Sequence, residues 1–226
     1  MKSRQNRPMP FQNGDRLTQP EFHRLYEQMP GAGFAELIAG VVHVKERSTS
    51  DHGIACAAIG AVSVFYKAET PGVEVARRVT TIIDDRNEFQ PDITLRLDAD
   101  CGGQSSVNED EFYVGGPELA VEVVDGPEAI ELGIKKLEYQ RAGVCEYLVV
   151  CPRSQVIRWF DFVARDELRP DAKGVRKSRR FPGLWLYGPA LFEDDGPKLI
   201  GTTKAGLATP EHAAFVEELA RRRTRK

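Results

Sequence analysis

The sequence predicts an α/β chain of the α+β kind, built on a mixed central sheet. Three observations predict it. Leu119–Val124 is a nearly continuous apolar run, the mark of a strand covered on both faces. A helix-type segment follows, from Asp125 to about Ala142-Gly143, and then a second apolar strand, Tyr147–Val150. A strand–helix–strand order of this kind needs a crossover connection.

The remaining elements follow in chain order. Thr18, Pro20 and Glu21 start a helix running through Leu25 to Met29, because proline suits the first helical turn. Phe34–Ile38 and Val41–Val44 read as a hairpin turning at Ala39-Gly40. Ser50 and Asp51 can cap a second helix through Ile54, Ala58, Val62 and Phe65. Val73–Ile83 is β-branched and alternating, so it reads as one strand, and Pro91–Leu97 as another. Asp98–Gly116 is rich in Gly, Ser and Asp and reads as a long loop. Val156–Phe160 is a further strand, 165–180 a loop or hairpin, and Phe181–Leu186 an apolar block able to dock back on the domain. Thr209-Pro210-Glu211 starts a last helix, which ends in a basic cluster with the frayed, solvated end as its default.

With 226 residues, 41% of them hydrophobic and 29% charged, the chain suits one globular domain with appended ends. The expected division is a flexible arm over 1–17, a single domain over 18–200, and a C-terminal helix with basic tail over 201–226. The net charge is -3 and the pI about 5.9. A protein gripping nucleic acid through its overall field is usually basic, so nucleic-acid contact here must be local, metal-bridged or weak. Cys56, Cys101, Cys145 and Cys151 form no Cys-x-x-Cys pair and read as reduced thiols; Cys145 and Cys151 bracket one strand and could be neighbours. The polar first fifteen residues carry no secretory signal, and no stretch approaches a membrane span. The expected location is the cytoplasm, with no membrane partner.

Two acidic residues stand out. Asp92 opens the strand Pro91–Leu97, and Glu122 sits inside Leu119–Val124. A carboxylate in an apolar strand is costly unless something pairs with it. Side by side, the two would hold a hard divalent cation, with Lys135 on the following helix supplying positive charge. Each has a structural alternative. Asp92 is also a turn or strand-start residue; Glu122 also suits a half-exposed edge strand or a buried ion pair; Lys135 also suits a solvated pair with Glu131 at i, i+4. The helical wheel places Ile130, Ile134 and Leu137 on an apolar stripe and leaves both Lys135 and Lys136 outside it.

Taken in order, Ala35-Glu36-Leu37-Ile38-Ala39-Gly40, His52, Pro91-Asp92, Glu118–Val124, Glu131-x-x-x-Lys135-x-x-x-Tyr139-x-x-Ala142-Gly143-Val144-x-Glu146-Tyr147 and Phe181–Leu186 resemble the Uma-two family. This is a bacterial group of restriction endonuclease-like proteins in the PD-(D/E)XK nuclease superfamily. The resemblance runs from about Ala35 to Trp185 and implies a restriction-endonuclease-like sheet flanked by helices, with an N-terminal hairpin and a C-terminal helix. It implies Asp92 and Glu122 as metal ligands and a catalytic lysine moved to the helix, where Lys135 matches better and Lys136 is the runner-up. It makes Glu36 an accessory acid and gives His52 and Tyr139 matching positions. For His52 the structural reading is a capping or surface residue, for Tyr139 packing on the sheet, and for Trp185 the core. The chain departs from the family at Ala39-Gly40-Val41, which lacks the usual hairpin acids, and at Asp125-Gly126-Pro127, which replaces a Ser-Pro-Ser segment.

Two function classes follow. One is a Mg2+-dependent endonuclease, with Mn2+ as a substitute, hydrolysing DNA phosphodiester bonds. The other is a catalytically inactive nuclease-fold module binding nucleic acid or protein. Analogy with the fold adds a homodimer, built through Phe181–Leu186 and the last helix.

Overall fold

The computed structural model describes residues 10–28, 34–45, 48–125 and 130–224. Helix α1 (Gln19–Glu27) precedes the hairpin β1 (Phe34–Ile38) and β2 (Val41–Lys45), and then the long helix α2 (Ser50–Ala68). Next come β3 (Val73–Ala76), β4 (Thr81–Asp84), β5 (Asn87–Phe89) and β6 (Ile93–Leu97). A 3-10 turn (Ala99–Cys101) and the short strands β7 (Ser106–Val107) and β8 (Tyr113–Val114) lead to β9 (Leu119–Val123). A π turn (Glu131–Lys135) runs directly into α3 (Lys136–Arg141), followed by β10 (Glu146–Cys151), β11 (Val156–Asp161), β12 (Asp166–Glu167), β13 (Val175–Lys177) and β14 (Trp185–Tyr187). Helices α4 (Gly188–Phe192), α5 (Gly196–Leu207) and α6 (Pro210–Arg223) close the chain.

The strands form two six-stranded mixed sheets, ordered β2-β1-β5-β4-β8-β7 and β12-β11-β10-β9-β6-β3, with β13 and β14 as a separate ribbon. As the apolar run predicts, β9 is internal to its sheet. It pairs parallel with β10 and antiparallel with β6, so the intervening helix is the expected crossover. Alternate residues serve two cores: Leu119, Val121 and Val123 pack with Ile59, Val62 and Leu199, while Ala120 and Val124 pack with Ile38, Phe89, Tyr139 and Tyr147.

Local chemistry explains the element boundaries. Glu21 Oε2 accepts from the Thr18 amide at 2.9 Å and fixes the start of α1; Met29 lies outside the described residues. Ala39 and Gly40 both have positive φ, 53° and 78°, which suits a tight two-residue hairpin. The cap of α2 is Thr49, one residue earlier than expected; its Oγ1 accepts from the His52 amide at 3.3 Å.

Several expectations change. Val73–Ile83 is two strands in different sheets, because Arg78 takes a positive φ of 53° and breaks the run. The loop 98–116 contains the 3-10 turn and two short strands. The Asp125 carboxylate accepts from the Thr49 amide and hydroxyl at 3.1 and 2.6 Å. The expected helix start at Gly126–Glu128 lies outside the described residues. Residues 10–17 are docked: Phe11 is buried against Phe22, and Gly14 N donates to Val42 O at 2.8 Å. The basic end of α6 is also anchored, with Arg223 reaching Asp98 at 2.6 Å and Asp100 at 3.0 Å. Phe181, Leu184, Leu186, Phe215 and Leu219 are buried in the chain's own core, so they are taken before any partner could use them. Trp185 is only half-buried, with Lys177 Nζ over its ring at 4.2 Å. Cys145 precedes the six-residue β10 and Cys151 ends it, a span of roughly 20 Å. Among the described residues, no helix is long and apolar enough to cross a membrane.

Candidate active site

β6 and β9 pair antiparallel with Ile93 opposite Val121. One step further in the same register sets Asp92 opposite Glu122. Residues directly across an antiparallel pair share a face, with Cβ atoms about 5 Å apart. Asp92 Oδ2 also accepts from the Val123 amide at 2.9 Å, which ties the carboxylate to the neighbouring strand. The register therefore sets the two acids across from one another on neighbouring strands, and both are buried.

The first sheet brings two more groups to this face. Glu36 points inward from β1, and Lys45 reaches in from the end of β2. Lys135 arrives from the crossover. Its Nζ lies 2.6 Å from Glu122 Oε1 and 2.7 Å from Glu36 Oε2. Lys45 Nζ lies 3.1 Å from Glu36 Oε2 and 3.5 Å from Glu122 Oε2. Tyr139 donates its hydroxyl to Glu122 Oε1 at 3.0 Å, so it serves the cluster as well as packing against Phe89 and Tyr147.

Lys135 rather than Lys136 enters the cluster. Lys135 is 0% exposed. Lys136 lies away from it, with Nζ 3.9 Å from the centre of the Phe160 ring. The wheel assignment is inverted: Ile130, Ile134 and Leu137 are the exposed residues, while Lys135, Glu138 and Tyr139 form the buried face. A π turn lies at this point. Lys135 N donates to Ile130 O, five residues back, and Gly133 has non-helical angles; the carboxylates of Glu36 and Glu122 draw Lys135 inward and leave the apolar stripe outside. Lys135 is engaged by Glu36 and Glu122, not by the alternative partner Glu131.

His52 is neither a surface residue nor merely a helix start. It is 6% exposed, and its Nε2 lies 3.4 Å from Asp92 Oδ2. Arg78 covers the other oxygen, with Nε 3.3 Å from Asp92 Oδ1 and a terminal nitrogen 3.2 Å from Ser48 Oγ. Sequence reasoning missed Lys45 and Arg78. A lysine at a hairpin end and an arginine beside a strand carry no signal of their own; the inward-facing β-parity of Lys45 relative to Glu36 is the one available hint.

The electrostatics follow from this packing. Burial pushes the Glu122 carboxyl above its usual range; Lys135 and Lys45 oppose the rise without cancelling it. For Glu36 the same burial is outweighed by Lys135 and Lys45, and its pKa falls. Burial also acts against the Lys45 ammonium, but Glu122 and Glu36 hold its pKa up. Burial raises Asp92, yet the hydrogen bond from His52 and the charge on Lys45 bring it well below the usual carboxylate value. His52 is pushed up to about 10, chiefly by its bond to Asp92.

The donor set fits a hard divalent cation. Asp92 and Glu122 present oxygen donors on one face, and each keeps an oxygen with only a long contact, 3.3 Å from Arg78 and 3.5 Å from Lys45. Glu36 is less available: Oε1 accepts from the Gln90 amide at 2.7 Å and from Lys135 at 2.9 Å, and Oε2 contacts both lysines.

Comparison with known proteins bears on the family and the fold. The Uma2 family, described as "Putative restriction endonuclease", matches residues 19–188. No curated protein matches the chain. A crystal structure titled as "a putative nuclease belonging to DUF820" from Anabaena variabilis superposes with a TM-score of 0.59 at 13% identity, covering 75% of this chain and 96% of that one.

Proposed function

The chain belongs to the Uma2 family, and on that premise we propose that it is a divalent-metal-dependent endonuclease hydrolysing DNA phosphodiester bonds. One observation carries the reading: Asp92 stands opposite Glu122 in the β6–β9 register, with Lys135 Nζ 2.6 Å from Glu122. In this reading Asp92 and Glu122 hold Mg2+ or Mn2+. When bound, such an ion lowers the pKa of a coordinated water and neutralises phosphate charge.

The chain's own residues do the rest. Lys135 orients the attacking water or a phosphate oxygen and stabilises developing negative charge in a site shielded from solvent. Lys45, with about 30% of its side chain exposed, faces outward enough to meet a phosphate. Glu36 touches both lysines and acts as a positioning residue. Tyr139 holds Glu122 in place. Arg78 and His52 fix the two oxygens of Asp92. A net charge of -3 favours recognition by this local group of cations over the overall field.

The test is Mn2+ binding by calorimetry together with nicking of supercoiled plasmid. The wild type binds and nicks; Glu122→Gln and Asp92→Asn lose both. Nicking at wild-type rates in either variant overturns the assignment. A second reading has its own support. Glu36, Glu122 and Asp92 are already met by Lys135, Lys45 and Arg78, so charge balances without an ion and the fold could serve as a binding module. An absence of Mn2+ heat and of nicking, with DNA binding retained, selects that reading.

A further inference from the structure

We propose that His52, Cys56 and Asp92 form a second metal site, one that takes a borderline-soft divalent cation of the Zn2+ class. His52 and Cys56 lie four residues apart on α2, hence on one face of the helix. Asp92 meets them from the start of β6. Cys56 Sγ lies 3.5 Å from His52 Nδ1 and 3.9 Å from Nε2, and Nε2 lies 3.4 Å from Asp92 Oδ2. One ligand atom from each residue falls within 4.8 Å of the others, and all three residues are buried.

These separations suit the chemistry. Tetrahedral zinc bonds of about 2.3 Å to sulfur and about 2.0 Å to nitrogen and oxygen set ligand pairs about 3.5 Å and about 3.3 Å apart. The Sγ–Nε2 and Nε2–Oδ2 distances of 3.9 and 3.4 Å match within a few tenths of an ångström. A thiolate and an imidazole favour Zn2+ over Mg2+. The donor set thus differs from the all-oxygen pair Asp92 and Glu122. Binding breaks the Cys56 S–H bond and frees Nε2 of any proton; the protons pass to solvent, and bonds form to Sγ, Nε2 and Oδ2. A water completes four ligands.

Asp92 belongs to both sites. On the reading of Asp92 and Glu122 given above, Zn2+ on Oδ2 and Mg2+ or Mn2+ on Oδ1 share one carboxylate and repel each other, so Zn2+ weakens binding of the hard cation and silences the centre.

The experiment titrates the full chain with Co2+ and reads near-ultraviolet thiolate-to-cobalt charge-transfer absorption. One equivalent develops the band in the wild type, in Cys145→Ser and in Glu122→Gln; Cys56→Ser abolishes it. The Glu122→Gln arm separates this site from the hard-cation reading, because failure of that reading leaves the band intact. No band in the wild type, or a band persisting in Cys56→Ser, overturns the proposal. If Cys56→Ser does not fold, X-ray absorption of the Zn2+-loaded wild type decides: one sulfur in the shell supports the site, and a shell with no sulfur or with two overturns it. Calorimetry then tests the competition. One equivalent of Zn2+ lowers Mn2+ binding at least tenfold in the wild type; unchanged Mn2+ binding removes the sharing of Asp92.

Discussion

Lys135 Nζ lies 2.6 Å from Glu122 Oε1, in an enclosure where the two side chains are 0% and 2% exposed. Removing one member of such a pair strands the other. Lys135→Met is expected to destabilise the chain by about 3–5 kcal/mol. The double variant with Glu122→Gln is expected to recover much of that loss, because the stranded charge goes with it. Urea unfolding of the two variants measures both values. A cost under about 1 kcal/mol for Lys135→Met would mean a solvated pair.

Glu36 and Asp92 should separate in metal binding. Both Glu36 oxygens are committed to Lys135, Lys45 and the Gln90 amide. Glu36→Gln is therefore expected to keep Mn2+ binding within about tenfold of wild type, a change of about 1.4 kcal/mol, while nicking falls because Lys135 and Lys45 lose their anchor. Asp92→Asn loses the metal itself. Equal loss of Mn2+ affinity in the two variants would make Glu36 a ligand.

Two glycines of α5 should respond in opposite directions. A Cβ on Gly206 would meet Gly183 O at 2.3 Å and the Trp185 ring at 2.8 Å, whereas Gly201 has nothing within 4 Å. Gly206→Ala is expected to cost about 1–3 kcal/mol through overpacking. Gly201→Ala is expected to gain up to about 1 kcal/mol, because alanine is the better helix former. Thermal melts of the pair check the sign of each.

His212 should make the fold acid-sensitive. Burial pushes its imidazole below the usual value, against the Leu207 carbonyl 3.0 Å from Nδ1. The unfolded chain then takes up a proton more readily than the folded one. The contribution is present above about pH 6.5 and is lost as pH falls through the folded-state value. Urea midpoints for wild type and His212→Gln at about pH 7.5 and about pH 5.5 should show the larger fall in wild type. Equal falls would take His212 out of the account.

Much of the sheet was legible because burial on two faces leaves a plain trace. The run around Glu122 and the hairpin turn at Ala39-Gly40 are written in adjacent residues. Asp92 and Glu122 were legible because acids in apolar strands are anomalous. The break at Arg78 was not, since a positive φ in a non-glycine residue is set by tertiary contacts such as that with Asp92. The face carrying Lys135 was misread for a related reason. A stripe of Ile and Leu is normally the buried one, but the carboxylates of Glu36 and Glu122 draw Lys135 inward and reward the opposite orientation. Helices α4 and α5 were not anticipated; α5 starts at an Asp195 cap whose carboxylate accepts from Lys198 N at 2.9 Å, a short-range cue that gains meaning once Leu199 has a core to enter.

The charged cluster draws Glu36 and Lys45 from one sheet, Glu122 and Asp92 from the other, and Lys135 from the crossover between strands. Lys135 and Lys45 each bridge Glu36 of one sheet to Glu122 of the other, so neither half completes these contacts alone. A folding intermediate with only one sheet assembled would carry bare charges on the surface that must become its interior, and would keep that surface wet. Docking of the two sheets is therefore expected to be cooperative, with the catalytic candidates acting as the latch.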